Sequence, residues 1–240
     1  MAIAPDQLRK PRDLSGIIDG AISLYRQNFG EFLGIAAVAL PVDVVAAVVP
    51  LAIPNRTASL AVTALMTIPT LVVSIVVTAA IARAVADVAD GHPADFNRAY
   101  RQVLDRLGAL LLAALRVIGI TVLIAMTVVG IPVAIYLGVR WFFFPQAIVI
   151  EHTGSSDALS LSADIVKGSW WRTFGIVIIV SLLAAIPSFG VGALFAWATP
   201  VASALISAVI ATIVRPFTAS AWTLLFFDLS SRENQRVSVA

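Results

Sequence analysis

"GALLLAALRVIGITVLIAMTVVGIPVAIYLGVRWFFFPQAIVIE" occupies residues 108–151. It holds two apolar runs, 108–129 and 131–150, each of about the twenty residues that a helix needs to cross roughly 30 Å of hydrocarbon. Arg116 and Arg140 are the only charges before Glu151 closes the second run. The pair reads as a transmembrane hairpin. Barrel strands would instead alternate apolar and polar positions over about ten residues.

Four further runs of the same kind lie at 32–53, 60–82, 173–198 and 201–227. In the 173–198 run, "AAIPSFGVGAL" meets Pro187, Gly190 and Gly192, which predicts a half-helix or a re-entrant turn at its outer end. Composition supports a membrane solvent. The 240 residues are 60% hydrophobic and 12% charged, with a mean hydropathy of +0.96. A soluble domain carries about 45–50% apolar and about 25% charged residues, so this excess exceeds what one soluble core can bury. The net charge of +2 is too weak for a nucleic-acid surface. With no cysteine, disulfides and thiolate metal sites are excluded. His92 and His152, the only histidines, read as surface residues beside helix ends. The N-terminal "MAIAPDQLRKPRDL" is polar, without the apolar centre of a signal peptide, and is expected to stay in the cytoplasm.

Basic residues set the expected orientation. Arg9, Lys10, Arg12 and Arg26 precede the first run; Arg83, Arg98, Arg101 and Arg106 lie between the second and third; Lys167 and Arg172 lie between the fourth and fifth; Arg232 and Arg236 follow the sixth. The opposite side has only Arg56. Both termini are therefore expected inside.

The inner segments carry one apolar face each. Leu14, Ile17, Ile18, Ala21, Ile22, Tyr25 and Phe29 fall at helical spacing; so do Phe96, Ala99, Tyr100, Val103, Leu104 and Leu107, and more weakly Ala158, Leu161, Ile165 and Val166. Such helices beside a membrane lie in its interface. Asp13 or Ser15, Asp95 and Ser156 are their expected N-caps, and Trp170 and Trp171 are expected interfacial anchors. The chain thus reads as an all-α polytopic membrane protein: six transmembrane helices in three units, each an interfacial helix followed by a hairpin. The single domain 1–240 divides into a tail 1–13, units 14–90, 91–151 and 152–231, and a tail 232–240. Units one and three align without gaps at an offset of 141, matching Gly34-Ile35 with Gly175-Ile176, Arg26 with Lys167, Phe29 with Trp170 and Asp87 with Asp228. The middle unit shares Tyr100-Arg101-Gln102 with Tyr25-Arg26-Gln27. Units of one orientation would be related by an axis along the membrane normal.

"LYRQNFGEFLGIAAV" (24–38), "VRWFFFPQAIVIEHTGSSDALSLSADIVKGSWWRTFGI" (139–176) and "LLFFDLSSR" (224–232) resemble a family of bacterial multi-pass proteins, the one named after the membrane domain attached to some glycerophosphoryl diester phosphodiesterases. The resemblance covers nearly the whole chain and implies a bacterial cytoplasmic membrane. Its most specific stretch is arginine-aromatic-proline, a glutamate ending the span, Asp-Ala-Leu, then Trp-Trp. The resemblance implies arginines after the Ala-Leu, where this chain has Ser160 and Ser162. The six runs leave no room for a phosphodiesterase barrel.

Four charges fall inside runs. Arg140 lies eleven residues before Glu151, Arg116 ten after Arg106, Arg215 thirteen before Asp228 and Asp43 twelve after Glu31; at 1.5 Å per residue these are about 16, 15, 20 and 18 Å, close to half a bilayer core. Each would cost about 2.5–3.5 kcal/mol or more facing lipid. A shared midplane polar layer of Asp43, Arg116, Arg140 and Arg215 is the economical expectation. It admits two roles: a buried network that fixes helix register, or a site where the forked arginine donors hold an anion or an anionic lipid headgroup. Pro41, Pro145 and Pro216 lie beside these charges, as kinks do around transporter sites. No Gly-x-Ser-x-Gly, His-Glu-x-x-His, aspartate pair or phosphate-cradling glycine loop occurs within the chain. The expectation is a non-catalytic protein without metal or cofactor that organises or assists a membrane process, with the bilayer and a membrane-protein partner or a second copy around it. Transport or lipid handling at the arginines is the alternative, and regulation of a separate lipid-active hydrolase a third.

Overall fold

A computed structural model of the chain describes residues 8–195 and 198–239. All described elements are helical: α1 Leu14–Gln27, α2 Phe29–Ala37, α3 Leu40–Val48 with a 3-10 turn Val49–Ala52, α4 Arg56–Ala89, α5 Phe96–Asp105, α6 Leu107–Ala125, α7 Gly130–Arg140, α8 Phe144–Ile150, α9 Ser155–Val166, α10 Trp170–Leu194 and α11 Pro200–Val239. Asp13 caps α1 by accepting the Gly16 amide at 2.9 Å, and Asp95 caps α5 by accepting that of Arg98 at 2.6 Å. α9 starts differently from expectation. Gly154 is its N-cap, and Ser156 lies inside the first turn with its hydroxyl turned to Arg116. Gly91, at φ +81°, closes α4, where the His92 amide returns to the Asp87 carbonyl at 2.9 Å.

Five helical stretches are long and apolar enough to cross a membrane: α4, α6, Gly130–Ile150, Trp170–Val191 and Pro200–Arg236. A sixth is present if Phe29–Ala37 and Leu40–Ala52, bent by 44°, form one span. The expected break in the fifth run is absent. α10 passes through Pro187, because a proline inside a helix removes one hydrogen bond without having to end the helix when the surroundings hold it. The breaks fall elsewhere. The first run bends at Val38–Ala39, where the Ala39 amide bonds Ala36 instead of Ile35 and Pro41 starts the next helix. The fourth turns at Trp141–Phe143, before Pro145 in the first turn of α8.

Burial divides the molecule into two layers. Between Arg56 and Val76 no residue of α4 is buried, whereas from Val77 to Ala89 ten of the thirteen are. The outer part has 21 residues, about 31 Å of helix, which matches a hydrocarbon core. The same change occurs along α11, whose residues 218–229 are nearly all buried. We call the buried end the base layer. It gathers the ends of α4, α6, α10 and α11 with α1, α2, α5, α8 and α9 around Phe32, Phe143, Ile148, Leu224 and Phe226. Ala79, Ala80, Ala82, Ala84 and Ala86 let neighbouring helices approach α4 closely. Beyond this layer the helices carry apolar side chains open to their surroundings. The α6–α7 turn is the extreme case, Met126 and Val128 being 79% and 85% exposed.

The helices expected in the interface are integral to the base layer. α1 runs antiparallel beside α11, since the Arg12 amide reaches Asp228 at 2.7 Å and the Tyr25 hydroxyl reaches the Ile213 carbonyl at 2.9 Å. α5 runs alongside α2, joined by Phe96 N–H to Glu31 at 3.1 Å and by Tyr100 O–H to the Ile35 carbonyl at 2.7 Å. α9 folds back on α8, and the Ser162 hydroxyl donates to the Arg140 carbonyl at 2.8 Å while accepting the Phe143 amide at 3.1 Å. Helix starts at Leu14 and Ser155, and at Phe29 and Trp170, are each 141 residues apart.

Candidate functional site

The four charges picked out in the sequence do not form one network. Arg215 on α11 donates to Asp43 on α3 at 2.9 Å, with side chains 16% and 11% exposed. The second guanidinium nitrogen, Nη1, is buried without a partner. Arg116 on α6 belongs to another group: its Nη1 donates to the hydroxyls of Ser155 and Ser156 at 3.1 and 2.7 Å. Side chains on a helix lean toward its N-terminus, so Arg116 reaches back to the start of α9 instead of across to Asp43. Arg140 ends α7, and its guanidinium carbon lies 5.7 Å from the centroid of the Tyr136 ring. It has no carboxylate partner among the described residues.

The expected midplane depth took Glu151, Arg106, Asp228 and Glu31 as marks of the membrane edge. Asp228 is in fact inside the base layer, 0% exposed. The charges sit where helices leave that layer: Arg116 follows buried Ala113 and Ala114, Arg140 follows buried Val139, and Arg215 precedes the buried 218–229 stretch.

Asp228 is the most highly bonded acid of the structure's described residues and was read from the sequence only as a repeat partner of Asp87 and as a boundary mark for Arg215. It accepts from Arg172 at 2.5 Å, from Arg232 at 2.9 Å and from the Arg12 backbone amide at 2.7 Å. The Arg12 carbonyl in turn accepts from Arg172 at 2.7 Å and Arg232 at 3.2 Å. One residue of the N-terminal segment is therefore pinned by both its amide and its carbonyl. Burial pulls the Arg12 guanidinium pKa down, and the charge of Asp228 opposes this. At the corresponding end of α4, Arg83 pairs with buried Asp87. The i+4 spacing of Asp228 and Arg232 at the end of an apolar run was the available sequence signal. The Arg12 and Arg172 contacts, 216 and 56 residues away, left none.

Two hydroxyls of the base layer answer freed or shared carbonyls. Tyr100 takes the Ile35 carbonyl that the bend at Val38–Ala39 leaves without its Ala39 partner. Burial pushes the Tyr100 phenol pKa up, and the nearby positive charge of Arg215 works against that shift. Burial also raises Tyr25. The Asp13 carboxyl is held below the usual range by the Gly16 amide and the Ser15 hydroxyl.

α4, α8 and α11 meet at a cavity of about 150 Å³ lined by Ser74, Ile75, Thr78, Phe142, Pro145, Gln146 and Trp222. Gln146 is 1% exposed, and both its Oε1 and the Trp222 Nε1 are buried without a protein partner. An acceptor, a donor and two hydroxyls around that volume are what ordered water requires. Between α7 and α10 lies a second, apolar cleft of about 530 Å³, walled by Pro132, Ile135, Tyr136, Trp170, Trp171 and Phe174. Among the described residues, no three histidine, cysteine, aspartate or glutamate side chains come together as metal ligands. No protein-family model, curated protein or solved structure matches the chain.

Proposed function

We propose that the protein is a non-catalytic integral membrane protein of a bacterial cytoplasmic membrane, with both termini inside, and that its base layer organises or assists a membrane process. One observation carries this reading: Asp43–Arg215 and the Asp228 group join helices to one another, so these charges serve the protein's own packing. A solute-transporting site would instead keep such groups for its cargo. The basic residues favour a cytoplasmic base layer, and the resemblance of 139–176 to the phosphodiesterase-associated membrane domain supplies the bacterial setting. Service to a separately encoded lipid-active hydrolase is compatible with it. A lipid-handling role rests on Arg140 alone among the expected site residues.

Reconstitution tests the reading. Purified protein in phospholipid vesicles is expected to leave scrambling of a fluorescent phospholipid, leakage of trapped glycerol phosphate and hydrolysis of a glycerophosphodiester at the rates of empty vesicles. A faster rate of any of the three that disappears in Asp43→Asn or Arg215→Gln would replace the module reading with transport or catalysis.

A further inference from the structure

We infer that the cleft between α7 and α10 is a binding site for an anionic phospholipid, with an acyl chain along its aromatic wall and the headgroup phosphate on Arg140. The wall is continuous. Trp170 stacks on Tyr136 at 5.7 Å and 30° and on Phe174 at 5.1 Å and 12°, while Trp171 meets Trp170 edge-on at 4.7 Å. The Trp170 indole N–H is already committed to the Tyr136 carbonyl at 3.1 Å. That bond fixes the Trp170 ring within the stack that lines the cleft. Pro132 and Ile135 complete the lining, and Trp171 is 78% exposed at the rim.

Charge and depth single out the occupant. Arg140 is one helical turn from Tyr136, with its guanidinium over that ring, so a cation stands at one end of an apolar groove. Asp43 is taken by Arg215, and Asp228 by Arg172 and Arg232. Arg140 also ends α7 at the edge of the base layer, the level at which the 31 Å lipid-facing part of α4 would place headgroups. The forked donors of arginine suit a phosphate held at two oxygens. A soluble anion would use Arg140 and leave the aromatic wall bare; a neutral lipid would use the wall and leave the charge unmatched. The site is independent of the module reading, since a protein that moves no lipid can still hold one.

The test uses tryptophan fluorescence of the full chain in vesicles that contain phosphatidylglycerol or phosphatidylcholine with brominated acyl chains. Quenching should favour phosphatidylglycerol by on the order of tenfold in apparent affinity, the scale of one charge-assisted contact. Arg140→Gln should abolish that preference, and Arg140→Lys should keep part of it, both with unchanged thermal melting. Trp170→Phe with Trp171→Phe should remove the lipid-selective component of the quenching. Equal quenching by both lipids, a preference that survives Arg140→Gln, or full competition by glycerol phosphate without chains would each overturn the site. If Arg140→Gln melts early, a preference that persists in Arg140→Lys but is lost in Tyr136→Ala still supports it, and one unaffected by Tyr136→Ala sinks it.

Discussion

Arg215 and Asp43 touch at 2.9 Å across 172 residues of sequence, and their pairing joins the last helix to the first bent run. With both side chains largely buried, breaking the pair leaves an uncompensated charge. Arg215→Leu or Asp43→Leu alone should destabilise by about 3–5 kcal/mol, and the double variant should recover most of that loss. Thermal melting of the four proteins in one detergent gives the coupling energy. Purely additive losses would show that the contact carries no structural weight.

The charges in the apolar runs were legible as charges that need partners; their partners were not. Hydropathy records that a residue avoids water, and lipid and protein interior satisfy it equally. The apolar run of α4 therefore continues without a signal from its exposed part into the buried stretch that starts at Val77. Asp228 follows the same logic: it ends an apolar run, so it resembles a membrane boundary, yet it lies inside the base layer. The caps at Asp13 and Asp95 were readable because a cap and its amide are three residues apart. The Asp228 group joins positions 12, 172 and 228, and no local pattern connects them.

Removing the centre of that group should release the N-terminal segment. In Asp228→Ala, Arg12 loses the acceptor of its amide, and Arg172 and Arg232 lose their carboxylate. Both arginines keep some contact with solvent, so the cost should fall at or below the about 3–5 kcal/mol of a fully buried pair. Limited trypsin digestion should cut after Arg9 and Arg12 several times faster than in the parent chain. Unchanged cleavage would mean that the segment is held by other contacts.

Tyr100 offers a pH test. Its hydroxyl bond to Ile35 should be worth about 1 kcal/mol, read as the melting difference of Tyr100→Phe. Burial raises the folded-state pKa above the unfolded value of about 10. The folded state therefore keeps its proton where the unfolded chain loses it. This contribution is fully present below pH about 10 and is lost as pH climbs toward the folded pKa. The parent should lose stability in that alkaline range more steeply than Tyr100→Phe. Parallel profiles would contradict the buried, neutral phenol.

The last prediction concerns how far each hairpin reaches. From the edge of the base layer the exposed part of α4 extends about 31 Å, whereas α6 runs only from Leu115 to Ala125, eleven residues or about 16 Å. The turn beyond it, Met126–Gly130, carries no charge and exposes Val128 and Val129 almost fully. The turn before α4 holds Pro54, Asn55 and Arg56 instead. The first turn should stop within the hydrocarbon, and the second should emerge on the far side. Cysteines placed singly at Val128, Thr57 and Ser231 of this cysteine-free chain separate the cases. An impermeant thiol reagent applied to whole cells should label position 57 and spare 128 and 231; applied to opened membranes, it should add 231 and still spare 128. Labelling of 231 but not 57 in whole cells would reverse the orientation, and labelling of 128 from outside would make α6 and α7 a full crossing.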